Sequence, residues 1–219
     1  METLTSPSGK GMSERRRHRL RLEISREASR LFWAHGVAAT SGDRIADAVG
    51  LSTRTIWRHF RSKESCAEPI VTQGVEWEMS ALRSWPPRLS LEDHLAAEVA
   101  RYRNAADAGE QADTLLAIKM IRLADHEPSI RIAWLMACDQ VEREMTAIIA
   151  TRLGRSADEL AMRLYGAAAS AAFRVVNEEL GAAALRGVIP EDLEGNVIRR
   201  MARAVRDATG GAIGDAVAR

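Results

Sequence analysis

Apolar residues recur at helical spacing along almost the whole chain, and no run alternates with the two-residue period of a strand. The first dozen residues are small and polar without any period, which predicts a disordered leader over 1–12. Leu20, Ile24, Ala28, Leu31 and Phe32 then mark one face of an amphipathic helix running from Ser13 to His35, with Gly36 as its stop. Asp43 to Val49 predicts a short second helix burying Ile45, Ala46 and Val49, and Ser52 caps a third that reaches Phe60. Two short helices separated by a few residues that include Gly50 are the parts of a helix-turn-helix.

Ser62 opens a longer helix carrying Ala67, Ile70, Val71, Gly74 and Val75, which Trp85-Pro86-Pro87 ends as the sharpest internal break. Ser90-x-x-Asp93 reads as a capping box before Leu91, Leu95, Val99 and Tyr102, and a further helix is expected from Gln111 to Asp125. Pro128 starts a long helix through Ile130, Trp134, Ala137, Val141, Met145, Ile148 and Ile149, closed by Gly154. A second capping box, Ser156-x-x-Glu159, opens a helix that is apolar on two sides. Leu160, Leu164, Ala167, Ala168, Ala171 and Val175 form one side; Ala161, Tyr165, Ala169, Ala172 and Val176 form the other. Such a helix needs a partner beyond its own core. Pro190 sits in the first turn of a last helix bearing Leu193, Val197, Met201, Ala204, Val205 and Ala208.

Composition supports an all-α fold. The chain has 219 residues, 46% hydrophobic but only 5% aromatic; Leu, Ala, Ile, Val and Met far outnumber the aromatics, and Ala and Arg are strong helix formers. No stretch approaches the roughly 18 apolar residues of a membrane span, and no apolar signal segment follows Met1, so a cytoplasmic protein with no membrane partner is expected. Cys66 and Cys138, two cysteines without a ligand pattern, fit a reducing compartment. The formal charge of +1 conceals an asymmetry. Residues 1–63 hold 13 Lys and Arg against 6 Asp and Glu, net +7; the remainder holds 18 against 24, net −6. A basic end on an acidic body is expected where only that end meets a polyanion.

Leu31-Phe32, His35-Gly36, Thr40, Ile45-Ala46, Ala48-Val49-Gly50-Leu51-Ser52, Thr55-Ile56, Trp57-Arg58-His59-Phe60 and Ser62-Lys63-Glu64 together resemble the N-terminal signature of the TetR family of bacterial transcriptional regulators. The similarity covers Leu20 to Ala67 at ungapped spacing. It implies a three-helix helix-turn-helix head over 13–63, a helical-bundle effector-binding and dimerisation domain over 64–209, and a flexible tail over 210–219. Within the head, the resemblance places Thr40, Thr55, His59 and Lys63 near phosphates, and Thr53, Arg54 and Arg58 at or near base edges. Ser52 belongs to the same helix start, and Arg44 is a further backbone contact. Trp57 stands where the family usually has Tyr; its indole offers one N–H to a phosphate, or packs as scaffold. Arg54 suits bidentate pairing with guanine O6 and N7. Thr40 equally suits a helix cap, and Arg15 to Arg21 reads either as phosphate-attracting or as a solvated face.

For the body, specific DNA reading requires two-fold pairing, with recognition helices roughly 34–36 Å apart on a palindromic double-stranded operator. Ala167, Ala168, Ala171 and Val175, with Val197 and Met201 from the last helix, are the candidate homodimer surface; the same alanines also suit the intrachain core. The family resemblance implies an apolar cavity for a small-molecule effector. Met120, Trp134, Met136, Cys138, Met145 and Phe173 are candidate walls, and Tyr102, Arg174 and Asn177 candidate polar contacts. Ordinary core is the alternative for the apolar set, and a hydrogen-bonded pair across the dimer is the alternative for Arg174 and Asn177. His18, His35, His59, His94 and His126 lie scattered, without zinc spacing, and no nucleotide-binding or hydrolase motif occurs, so no metal, cofactor or catalytic group is expected. The function expected is a homodimeric repressor released by a small apolar or amphipathic ligand. A helical adaptor acting through protein contacts, or less favourably an enzyme using the helical cavity, are the alternatives.

Overall fold

The computed structural model describes residues 8–185 and 193–217, which are helical without any strand. Among these residues the order is α1 (Ser8–His35), α2 (Gly42–Ala48), α3 (Thr53–His59), a 3-10 turn (Glu64–Ala67), α4 (Glu68–Arg83), α5 (Leu91–Ala105) and α6 (Ala108–Leu123). Then follow α7 (Pro128–Leu153), α8 (Leu160–Leu185) and α9 (Leu193–Ala208). None of these helices is long and apolar enough to cross a membrane.

The chain divides into two compact units between Ile70 and Val71. That is later than Lys63, where the charge changes, and earlier than Pro86-Pro87. The reason is local: Ile70 N–H donates to Ser25 Oγ at 3.1 Å, while Cys66, Ala67 and Ile70 are fully buried, so the 3-10 turn and the start of α4 belong with α1.

In the N-terminal unit, Ile24, Ala28 and Phe32 of α1, Ile45 and Ala46 of α2 and Ile56 of α3 are all buried, and α2 packs against both α1 and α3. The helix α1 begins at Ser8, so residues 8–12 of the expected leader are helical; residues 1–7 lie outside the described residues. The turn between α2 and α3 pivots on Gly50, whose φ of +66° favours glycine.

In the C-terminal unit α7 and α8 pack along each other, and α9 lies against α8 and α5. Gly166 of α8 permits a close approach: a Cβ there would overlap Thr146 Oγ1 and lie 2.9 Å from Thr146 Cα on α7. The Ser90 box forms, with Ser90 Oγ accepting from Asp93 N–H at 3.1 Å. α6 starts three residues before the expected Gln111 because Asp107-x-x-Glu110 is itself a capping box. Asp107 accepts from Gly109 and Glu110 N–H, and Glu110 accepts from Asp107 N–H. Conversely, Ser156-x-x-Glu159 closes a turn ahead of α8: Glu159 accepts from Ser156 N–H at 3.1 Å, but Ser156 Oγ accepts from Asp158 N–H rather than from Glu159.

The segment after α9, expected as a flexible tail, is tied down as far as Val217. Ile213 is buried, Leu91 N–H donates to Gly214 O at 2.8 Å, and Val217 N–H donates to Pro87 O at 2.8 Å. Arg152 of α7 joins the pieces. Its guanidinium lies 3.6 Å from the Trp85 ring centroid and donates to the carbonyls of Pro86, Pro87, Leu89 and Asp215. Pro190 lies outside the described residues.

Candidate nucleic-acid interface and effector cavity

The start of α3 is fixed by its own cap. Ser52 Oγ accepts from Thr55 N–H at 3.2 Å and shares a hydrogen with Thr55 Oγ1 at 2.9 Å. Ile56 and Phe60 turn inward and are buried, which leaves Arg54, Trp57 and Arg58 on the exposed side. The Thr53 hydroxyl donates to Asp43 Oδ1 at 2.6 Å, linking α3 to α2. Ser41 caps α2 by accepting from Arg44 N–H, and the Arg44 side chain is exposed.

Two expected contacts change character. Thr40 is fully buried and its hydroxyl donates to Gly36 O at 2.9 Å, so it holds the end of α1, cannot reach a phosphate, and does not cap α2. Lys63 Nζ donates to Val37 O at 2.7 Å and Ala38 O at 3.4 Å, so its ammonium braces the loop after α1. Trp57 packs in part as scaffold: it is 44% exposed, yet its ring lies so close to Gly42 that a Cβ there would overlap Cζ2.

Arg15, Arg16, Arg17 and Arg19 are exposed on α1. Arg21 instead donates to the His59 carbonyl at the end of α3, with its guanidinium carbon 4.6 Å from the Phe60 ring centroid. A cation on the last carbonyls of a helix complements the negative end of its dipole. Glu14, Arg17, His18, Arg21, Arg58 and His59 line an open, mostly basic concavity of about 440 Å³. Burial, followed by the charges of Arg58, Arg21 and Arg17, holds the His59 imidazole below its usual range, so near neutral pH it is an uncharged N–H donor among cations. Sequence reading had singled out neither the Arg21 clamp nor His18; the arginine run, read at three- and four-residue spacing, was the available signal.

Within the C-terminal unit a cavity of about 640 Å³ opens among α4 to α9. Of the expected wall residues, Tyr102, Trp134 and Asn177 line it. Met120, Met145 and Phe173 are buried core, and Met136 is 62% exposed on α7. Cys138 lies off the wall, its thiol pushed up to about 12 by burial. Arg174 is bonded to Glu178, which also accepts from Arg131 and from Trp134 Nε1 at 2.9 Å. Residues not anticipated supply much of the wall: Gln73, Trp77 and Glu78 from α4 and Asp113 from α6. The rings of Trp77 and Tyr102 meet at 5.1 Å, tilted by 56°. Asn177 Nδ2 donates to both Glu78 carboxylate oxygens, at 3.0 and 3.1 Å, while burial pushes that carboxyl up to about 7. Gln73 and Trp77 stand four residues apart on α4, a polar and aromatic stripe beside the buried Val75, Met79 and Leu82. That interruption was the legible signal.

The two-sided pattern of α8 resolves into an inner and an outer face. Ala169, Ala172 and Val176 are buried, whereas Leu160, Leu164, Ala171 and Val175 are exposed and Ala167 and Ala168 partly so. Ile132, Leu135 and Met136 of α7 are also exposed. Val197, expected on the dimer surface, lines the cavity, and Met201 is buried within the chain.

Residues 24–70 match the family model described as bacterial regulatory proteins of the tetR family. Over 182 residues the chain is 32% identical to the HTH-type transcriptional regulator TcmR of Streptomyces glaucescens, covering 81% of this chain and 80% of that one. Among solved structures, a TetR-family regulator from Mesorhizobium loti is similar with a TM-score of 0.51 at 20% identity, over 89% of this chain and 97% of that one. The multidrug-binding protein EbrR, crystallised with imidazole, gives 0.52 at 19% identity, over 86% and 92%. These two structures share the fold.

Proposed function

Because the chain belongs to the TetR family of bacterial transcriptional regulators, and is therefore a DNA-binding regulator rather than an enzyme, we propose that it is a cytoplasmic homodimeric repressor that binds a palindromic operator and is released by a small amphipathic ligand. The observation that carries the DNA half is the division of α3: a capped start, an inward side holding Ile56 and Phe60, and an outward side offering Arg54, Trp57 and Arg58. Arg54 and Arg58 read base edges, and Ser52, Thr55, His59, Arg44 and the exposed arginines of α1 meet phosphates. Thr53 and Lys63 act mainly by fixing α3 and the loop after α1.

The exposed stripe Leu160, Leu164, Ala171 and Val175, continued by Ala167 and Ala168, is the homodimer surface; an apolar strip of this kind is costly to leave in water. The effector occupies the cavity of the C-terminal unit, whose volume falls in the usual range for small-molecule sites of roughly 300–1,000 Å³. Its binding favours a dimer conformer whose recognition helices do not fit both half-sites, and reciprocity requires DNA to weaken effector binding by the same factor.

The test is a gel shift with the DNA flanking the protein's own gene, followed by the same assay on Arg54→Ala. Retarded wild-type complexes that lose sequence discrimination in the variant are expected. Absence of any sequence-preferred complex would favour the helical adaptor instead.

A further inference from the structure

The chemistry of the cavity wall narrows the class of molecule it takes. Among the described wall residues the carboxylates Glu76, Glu78, Glu110 and Asp113 face a single basic side chain, Arg103. Most of that acidity is already engaged. Glu76 is ion-paired with Arg83 at 2.8 Å, Glu110 caps α6, and Asp113 accepts from Gln73 Nε2 at 3.3 Å. Glu178, on α8 one residue beyond Asn177, is held by Arg131 and Arg174, so those two cations are committed to another carboxylate.

Glu78 differs. The bonds that hold it come from the neutral amide of Asn177, at 3.0 and 3.1 Å. A half-buried carboxylate met by an amide rather than a cation is under-compensated, and desolvation accordingly drives its pKa up to about 7. A second, independent feature points the same way. Gln73 Oε1, on the same helix, is buried without a hydrogen-bond partner, so its unsatisfied acceptor dipole adds to the negative charge of this wall without itself being open to the cavity. Trp77 and Tyr102 line the same wall half-exposed, and aromatic ring quadrupoles attract positive charge. The wall donors are largely spent: Trp134 Nε1 donates to Glu178, and the Tyr102 hydroxyl is bonded with Thr114 Oγ1.

We infer that the cavity binds an amphipathic organic cation with an aromatic body, its positive centre set against Glu78 and its rings against Trp77 and Tyr102. The inference rests on the effector reading of the cavity and adds the sign of the ligand's charge. Ionisation of Glu78 is then completed by the ligand, which replaces the solvation that burial removed.

Tetraphenylphosphonium and tetraphenylborate are near-identical in shape and opposite in charge, so titrating both into the full-length protein by calorimetry isolates that sign. The phosphonium is expected to bind at least ~10-fold more tightly, and Glu78→Gln to lower its affinity by ~10-fold or more while leaving the borate within ~2-fold, a tenfold change corresponding to about 1.4 kcal/mol. Equal binding of the two ions, tighter binding of the borate, or no phosphonium binding would overturn the inference. So would a Glu78→Gln variant that binds both ions as the wild type does. The ranking of the ions on the wild-type protein decides the matter even if the variant folds poorly. Operator release is scored separately. Phosphonium bound through Glu78 without loosening DNA would overturn the effector reading and leave the ligand class standing. Release by neutral or anionic aromatics, but not by the phosphonium, would do the reverse.

Discussion

Trp57 and Gly42 form an interlocking pair: the indole of α3 occupies the space where a side chain at the first residue of α2 would stand. A Cβ on Gly42 would overlap Cζ2 and lie 2.7 Å from Cη2 of the ring. The indole thus fits because α2 begins with glycine. Gly42→Ala is expected to force the ring outward or spread α2 from α3, costing about 1–3 kcal/mol by overpacking and weakening operator binding. Truncating the ring as well, in Gly42→Ala with Trp57→Ala, should recover part of the loss, giving a coupling term in a double-mutant cycle. Strictly additive melting temperatures would show that the pair does not interlock.

Lys63 is placed to support the loop after α1 through Val37 O and Ala38 O. Lys63→Met should therefore lower the stability of the N-terminal unit by about 1–3 kcal/mol, as expected for losing charged hydrogen bonds. It should weaken binding to all DNA sequences alike while leaving the slope of log affinity against log salt nearly unchanged. A slope reduced by about 0.9 with unaltered melting would instead put the ammonium on a phosphate.

The sequence-to-structure comparison divides along what periodicity can report. Helix positions and the α3 cap were legible, because Ser52, Gly36 and Gly154 act through local geometry that residue type encodes. The apolar stripe of α8 was legible as two-sided, yet only packing separates Val176, inside, from Val175, outside. The cavity was the hardest to read. Met120, Met145 and Phe173 have the composition of a pocket wall and are core, since spacing marks a side chain as inward without saying whether another atom fills the space before it. Gln73 and Glu78 carry the opposite signal, polar groups on an inward-facing stretch of helix. Thr40 shows a further limit: its hydroxyl suits a cap, and the cap was taken by its neighbour Ser41.

Burial of Glu78 makes stability depend on pH in a direction opposite to that of most carboxylates. Its pKa is raised in the folded state from 4.5 to about 7, so the folded protein binds the proton more tightly than the unfolded chain. The resulting stabilisation is complete below the unfolded pKa and is lost as pH rises through about 7. Glu78→Gln removes the titration while keeping an acceptor for Asn177. Chemical denaturation of both proteins should therefore show the variant gaining on the wild type between pH 4.5 and about 7, by an amount on the order of 3 kcal/mol at most. A stability difference that does not change over that window would mean Glu78 is solvated as an ordinary surface carboxylate.

The outer face of α8 offers a test of assembly that spares the fold. Leu164 is 59% exposed and Leu160 70% exposed, and neither belongs to the core that the inner residues Ala169, Ala172 and Val176 build. Leu164→Glu places a charge where the proposed partner copy would bury a side chain, at a position where the monomer already meets water. Desolvating an unpaired carboxylate in an interface costs several kcal/mol, enough to dissociate a dimer of ordinary affinity. The variant should keep wild-type helicity by circular dichroism, sediment as a monomer, and lose sequence-specific operator binding, because a single recognition helix has too few base contacts to hold a site. Sedimentation as a dimer with unimpaired DNA binding would remove α8 from the interface and leave its exposed stripe without that role.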